Sequence, residues 1–81
     1  MVIEEKEIKK IIAKILKINI SKVNDKLAMN SFLKWDSLNH LKIVLAIEGN
    51  LKVSFKEDDV TQITSYKLIK LYLKKMKVKI I

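Results

Sequence analysis

The sequence predicts an all-α domain of three principal helices plus one short helix, with a long ordered loop between the first two. Three observations carry this expectation. Apolar residues recur at helical spacing in three separate segments. Between the first two segments asparagine, serine and aspartate appear at Asn19, Ser21, Asn24, Asp25, Asn30 and Ser31, and the chain has no proline and no internal repeat. A chain of 81 residues has room for one core, burying about two-thirds of its unfolded surface, so residues 1–81 are expected to form a single domain. Cysteine is absent and His40 is the one histidine. Neither a disulfide nor a Cys-based zinc site can staple such a chain, so its stability must come from packing.

In the first segment, Ile8, Ile11, Ile12, Ile15 and Leu16 follow the i, i+3, i+4, i+7, i+8 spacing of one helical face over Ile3 to about Lys17. Acids lead and lysines follow on the other face, as the helix dipole prefers. Period is then lost from Ile18 to Trp35. Loops beyond about 12–15 residues are uncommon unless functional or disordered. Here Ile18, Ile20, Val23, Leu27, Met29, Phe32 and Leu33 predict a loop held across the core, with a helical turn at Ile20–Val23.

The second helix is expected to start at Asp36, whose carboxylate can accept from first-turn N–H groups, and to stop near Glu48 at Gly49 and Asn50. On a helical wheel Ile43, Val44 and Ile47 form one ridge, and Leu38, Leu41 and Leu45 another. One ridge must be core, and the sequence leaves open whether the second is core or an open patch. Leu51, Val53 and Phe55 alternate with polar residues, which suggests an extended loop turning Val53 and Phe55 inward. Glu57-Asp58-Asp59-Val60 should form the short helix, with Ser54 and Glu57 fitting a capping box. Ser65 caps a last helix to about Met76, with Tyr66, Ile69, Tyr72, Leu73 and Met76 inward and Lys67, Lys70 and Lys74 toward solvent. Residues Lys77 to Ile81 are expected to fray.

No apolar run approaches the roughly 18 residues of a membrane span, and Glu4-Glu5-Lys6-Glu7 is unlike a signal peptide, so a cytoplasmic protein is expected. The net charge of +8 comes from 17 lysines without arginine. An excess of this size raises a nucleic-acid partner as the alternative reading. The lack of arginine, the side chain best suited to bidentate phosphate and guanine contacts, argues against it.

Asp36, Ser37 and His40 place an acid, a hydroxyl and an imidazole within one short stretch. A hydrolytic triad nevertheless fails, because no Gly-rich elbow and no second segment exist to build an oxyanion hole or a substrate cleft. No enzyme activity is therefore expected, and His40 is read as a partly buried helix residue bonded to Asp36 or to the backbone. Ser37 asks less of the chain as an attachment point. At the first helical position, free N–H groups and the positive end of the dipole favour an esterified phosphate.

Asp36-Ser37-Leu38 at a helix start, after a long loop held by apolar residues, resembles the phosphopantetheine site of acyl carrier proteins and their peptidyl-carrier relatives. The similarity extends along nearly the whole chain, through Val53 to Val60 and Ile63-Thr64-Ser65. The Trp35-Asp36-Ser37-Leu38-Asn39-His40 form resembles small stand-alone carriers of specialised bacterial pathways. The resemblance implies a four-helix acyl-carrier-like bundle, a monomer with no metal of its own. It implies that a phosphopantetheinyl transferase recognises Asp36 and attaches 4′-phosphopantetheine from coenzyme A to Ser37. The arm would carry an acyl or aminoacyl thioester between a loading enzyme and downstream enzymes of a fatty acid, polyketide or nonribosomal peptide pathway. Leu38, Asn39, Leu41, Lys42, Leu45 and Glu48 are the implied partner-binding residues. Asn39 and Lys42 stand where acids are common in the family, so this chain's partners are expected to differ from those of acidic carriers.

Overall fold

The computed structural model describes residues 1–81. The elements run β1 (Val2–Ile3), α1 (Glu5–Leu16), a 3₁₀ turn (Ile20–Lys22), α2 (Ser37–Leu51), α3 (Glu57–Val60), α4 (Tyr66–Lys75) and β2 (Lys79–Ile80). The helices are those the periodicity predicts, and they enclose one core. Ile8, Ile12 and Leu16 come from α1, Ile43, Val44, Ile47 and Leu51 from α2, and Tyr66, Ile69 and Leu73 from α4, all buried. Each aliphatic side chain of this set contributes about 1.5–3 kcal/mol relative to exposure. The Ile43–Val44–Ile47 ridge of α2 is therefore the core ridge, and Leu38, Leu41 and Leu45 lie on the open side.

The loop between α1 and α2 is ordered, and its holding points are visible. Val23, Leu27 and Trp35 are buried, while Ile18, Ile20, Met29 and Phe32 pack at the core's edge. Leu33 departs from the expectation and is 97% exposed. Backbone bonds fix the loop to the approach to α4: Met29 N–H donates to Thr64 O (2.8 Å) and Tyr66 N–H to Leu27 O (3.1 Å). Asn19 caps the 3₁₀ turn through Ser21 N–H.

Expectations about the helix ends and the C-terminus also need correction. The C-terminal residues do not fray. β2 pairs in parallel with β1, Val2 opposite Lys79 and Ile3 opposite Ile80, and Val78 and Ile3 are buried, so burial and ladder bonds hold both ends. Helix α2 does not stop at Gly49–Asn50; it runs on to Leu51, because Leu51 lies one turn beyond Ile47 and is buried with it. Ser54 does not cap α3, whose N-cap is Lys56 with no side-chain bond; the carboxylates of Glu57, Asp58 and Asp59 instead lie at its positive end.

The stops of α1, α2 and α4 share one design. Lys17, Lys52 and Lys77 have left-handed backbones, with φ of 57°, 55° and 65°. The next residue in each case is apolar and returns its N–H to a carbonyl five residues back: Ile18 to Ala13, Val53 to Glu48, Val78 to Leu73. This is the closure in which an apolar residue after the left-handed one packs against the helix's last turn. Glycine usually takes the left-handed position, and lysine there accepts steric cost in return for a cation at the negative end of the dipole.

Lys70 is not part of a solvent-facing stripe. Its ammonium pairs with Asp25 Oδ1 (2.9 Å) and Glu5 Oε2 (3.2 Å) and sits 4.5 Å from the centre of the Tyr66 ring. The Tyr66 hydroxyl donates to the same Glu5 oxygen. The network joins α1, the long loop and α4. The Tyr66 bond, with Lys70 beside it, holds the Glu5 carboxyl below its usual range, and burial with the Glu5 bond pushes the Tyr66 hydroxyl up. Burial pulls the Lys70 ammonium down, but its two carboxylate partners outweigh that and leave it raised.

Two outcomes follow for stability. Gly49 is exposed on α2 and a Cβ there would touch nothing within 4 Å, so Gly49→Ala should stabilise by about 0.5–1 kcal/mol, seen as a higher urea midpoint. A carboxyl with a depressed folded-state pKa stabilises above its ordinary range and loses that contribution as pH falls through the folded value. The stability difference between the wild type and Glu5→Gln should accordingly shrink on acidification below the glutamate range; urea titrations across that range check it.

Candidate functional site at the start of α2

Asp36 adopts the extended backbone of an N-cap, and its Oδ1 accepts from Asn39 N–H at 2.8 Å. The Asn39 side chain reaches back, Nδ2 donating to Lys34 O at 2.7 Å. Together these bonds tie the end of the long loop to the first turn of α2. Ser37 is the first helical residue and is exposed. Its own N–H and that of Leu38 have no acceptor in the protein, as expected of the first positions of a helix.

Beneath this turn lies a hydrogen-bond relay. Trp35 is 1% and His40 6% exposed, and Trp35 Nε1 lies 3.0 Å from His40 Nδ1. An indole N–H can only donate, so Nδ1 is the acceptor and the imidazole proton resides on Nε2. That nitrogen donates to Val60 O at 2.7 Å. The two rings also stack, with centroids 6.1 Å apart. His40 is thus bonded to the backbone, one of the two partners expected for it, and no side-chain bond joins it to Asp36 or Ser37. The relay is the hydrogen-bonded link from α3 to α2; the other bonds of Glu57–Thr61 run to sequence neighbours, such as Ile63 N–H to Asp59 O. Helix α3 buries no residue fully; it is placed by Val60 packing at the core's edge, by buried Phe55 and Ile63 on either side, and by that link.

A cleft of about 340 Å³ opens beside Ser37, between α2 and α3, lined by Met29, His40, Leu41, Val60, Thr61 and Thr64 as well as Ser37 itself. Its walls are mostly apolar atoms with a few hydroxyls. Of the expected partner-binding residues, Leu38, Leu41, Lys42 and Leu45 are exposed. Asn39 and Glu48 are half-buried and make bonds within the fold: Asn39 Nδ2 donates to Lys34 O, and Glu48 Oε2 accepts from Phe55 N–H at 2.8 Å. Sequence reasoning did not anticipate Trp35 and Val60 as partners of His40. The adjacency of a buried-type indole to the helix cap was the available signal.

The chain is 33% identical over 61 residues to an acyl carrier protein of Buchnera aphidicola subsp. Schizaphis graminum, a match covering 75% of this chain and 77% of that protein. It belongs to the acyl carrier protein family. The helical bundle agrees with that membership. No protein-family model matches the chain. Within this carrier no helix is long and apolar enough to cross a membrane, and no three of its His, Asp and Glu side chains cluster as metal ligands.

The relay predicts a specific mutational signature. His40→Leu leaves the Trp35 indole N–H buried without an acceptor and should cost about 1–3 kcal/mol. Adding Trp35→Phe to that variant should cost less than the sum of the two single changes. A double-mutant cycle by urea unfolding measures the coupling.

Proposed function

We propose that this protein is a carrier whose Ser37 receives 4′-phosphopantetheine and which conveys an acyl or aminoacyl group between pathway enzymes in the cytoplasm, with residues 1–81 as one carrier domain. The observation that carries the reading is an exposed serine at the first position of α2, beside an aspartate cap, in a chain of the acyl carrier protein family. The residues fit the group. The free N–H groups of Ser37 and Leu38 and the positive end of the dipole suit a phosphodiester, and the adjoining cleft offers mostly apolar walls to whatever extends from it.

When bound, the arm supplies a terminal thiol for thioester formation. The protein's own residues fix the attachment point. Asp36 rigidifies the first turn and presents a carboxylate to the transferase; the Trp35–His40–Val60 relay holds the cleft's walls; and the core ridge of α2 keeps Ser37 outward. No protein thiol competes for the cargo, since the chain has no cysteine.

The reading is tested by incubating the protein with coenzyme A, a divalent metal and a broad-specificity phosphopantetheinyl transferase, then taking an intact mass. One phosphopantetheine adduct is expected, and none on Ser37→Ala, whose Asp36 cap and helical circular dichroism should persist. Absence of the adduct, or its survival in the variant, refutes the proposal.

A further inference from the structure

We infer that the outward side of α4, continued onto the β1–β2 ladder, lies against the surface of an anionic lipid bilayer. The inference does not rest on the carrier reading. Its first support is the distribution of charge along the chain. Residues 60–81 hold six of the 17 lysines and none of the nine acidic residues, so that stretch carries +6 of the net +8. Lys70 is bound to Glu5 and Asp25. The other five, Lys67, Lys74, Lys75, Lys77 and Lys79, are exposed and form no ion pair. Of the remaining acids, Glu4 and Glu7 are exposed at the start of α1, next to the ladder, while Asp36, Glu48, Glu57, Asp58 and Asp59 lie on or beside α2 and α3. Two carboxylates against five ammonium groups leave the face basic.

The second support is what stands among the lysines. Tyr66, Ile69 and Leu73 are the buried side of α4. Lys67, Leu71, Lys74 and Lys75, at i, i+4, i+7 and i+8, share the opposite side, where Leu71 is 46% exposed. Lys74, Lys77 and Lys79 border one shallow hollow with Val78 and Ile80, so the basic surface passes from helix to ladder. There Val2 stands opposite Lys79 in parallel register and both are exposed, projecting from the same face of the ladder. Aliphatic side chains set between lysines suit a bilayer surface: the ammonium groups meet lipid phosphates while Leu71 and Val2 enter the boundary between headgroups and acyl chains. A nucleic acid is held instead by arginine forks and by bases stacked on open aromatic rings. This chain has no arginine, and of the two tyrosines of α4, Tyr66 is buried and Tyr72 is half-buried with the Lys75 ammonium 4.8 Å from its ring centre.

Co-sedimentation of the full chain with lipid vesicles tests the inference. Vesicles of phosphatidylcholine with about one-third phosphatidylglycerol should bind the protein about tenfold more strongly, or better, than phosphatidylcholine alone, and high salt should abolish the difference. Lys67→Gln/Lys74→Gln/Lys75→Gln should lower binding about tenfold. Lys10→Gln/Lys14→Gln/Lys22→Gln removes the same charge from exposed positions of α1 and the 3₁₀ turn and should lower it by no more than about twofold. Leu71→Ser, which leaves the charge unchanged, should weaken binding several-fold. Independently of any variant, amide signals of the ¹⁵N-labelled protein broadened by the anionic vesicles should centre on Lys67–Ile81. Equal binding to the two vesicle types, equal loss from the two triple variants, no loss with Leu71→Ser, or broadening centred elsewhere would overturn the inference, as would displacement from the vesicles by single-stranded oligouridylate, which would assign the face to nucleic acid. Circular dichroism confirms that the variants remain folded. None of the substituted residues lines the cleft beside Ser37, so an absent phosphopantetheine adduct would remove the carrier reading and leave this result standing.

Discussion

The Trp35–His40–Val60 relay joins three parts of the molecule that meet beside Ser37. Trp35 ends the long loop, His40 lies one turn into α2, and Val60 closes α3. Each contributes a group that burial would otherwise leave unsatisfied: an indole N–H, two ring nitrogens and a main-chain carbonyl. Unpaired, such groups each cost about 1–3 kcal/mol; paired in series, they fix one arrangement of loop, helix and lid. The absence of any buried unpartnered side-chain nitrogen or oxygen shows how completely the arrangement closes. A four-residue α3 with no fully buried side chain packs on the core only through Val60, and the bond to that residue's carbonyl adds a fixed point there.

A division of labour within α2 follows. Its inner side supplies Ile43, Val44, Ile47 and Leu51 to the core, its first turn is fixed by Asp36 and Asn39, and its last turn receives the following loop through Glu48. What remains free is a strip of leucine and lysine leading away from Ser37. The helix is thus held on its inner side and at both ends, and its remaining side stays open, in constant relation to Ser37.

How much of this the sequence discloses depends on the range of the interaction. Asp36, Ser65 and Asn19 cap by bonds two or three residues long, and residue type at a helix start reveals them. The 3.6-residue period likewise marks the core ridge of α2. The period could not say whether the leucine strip was buried, because that depends on whether another element covers it. Lys70 read as solvent-facing because its neighbours Lys67 and Lys74 are; its true partners, Glu5 and Asp25, lie more than forty residues away in the chain. The two strands escaped for a different reason: two residues each are too few to show a period of two. The place of Ser37 at the first position of α2 is legible because the Asp36 cap is adjacent to it, whereas the bond from Phe55 N–H to Glu48 spans a loop and leaves no local signal.

The lysine-plus-apolar pairs that end three helices bear on the meaning of the net charge. Lys17, Lys52 and Lys77 stand where chains usually spend glycine, and this chain has a single glycine, used elsewhere. Lys70 is internal to a network. Part of the basic excess is thus architectural, serving helix termination and the joining of α1 to α4, and it would be present whatever the protein bound. A chain's overall charge is consequently a poor guide to its ligands when some of the same residues are its punctuation.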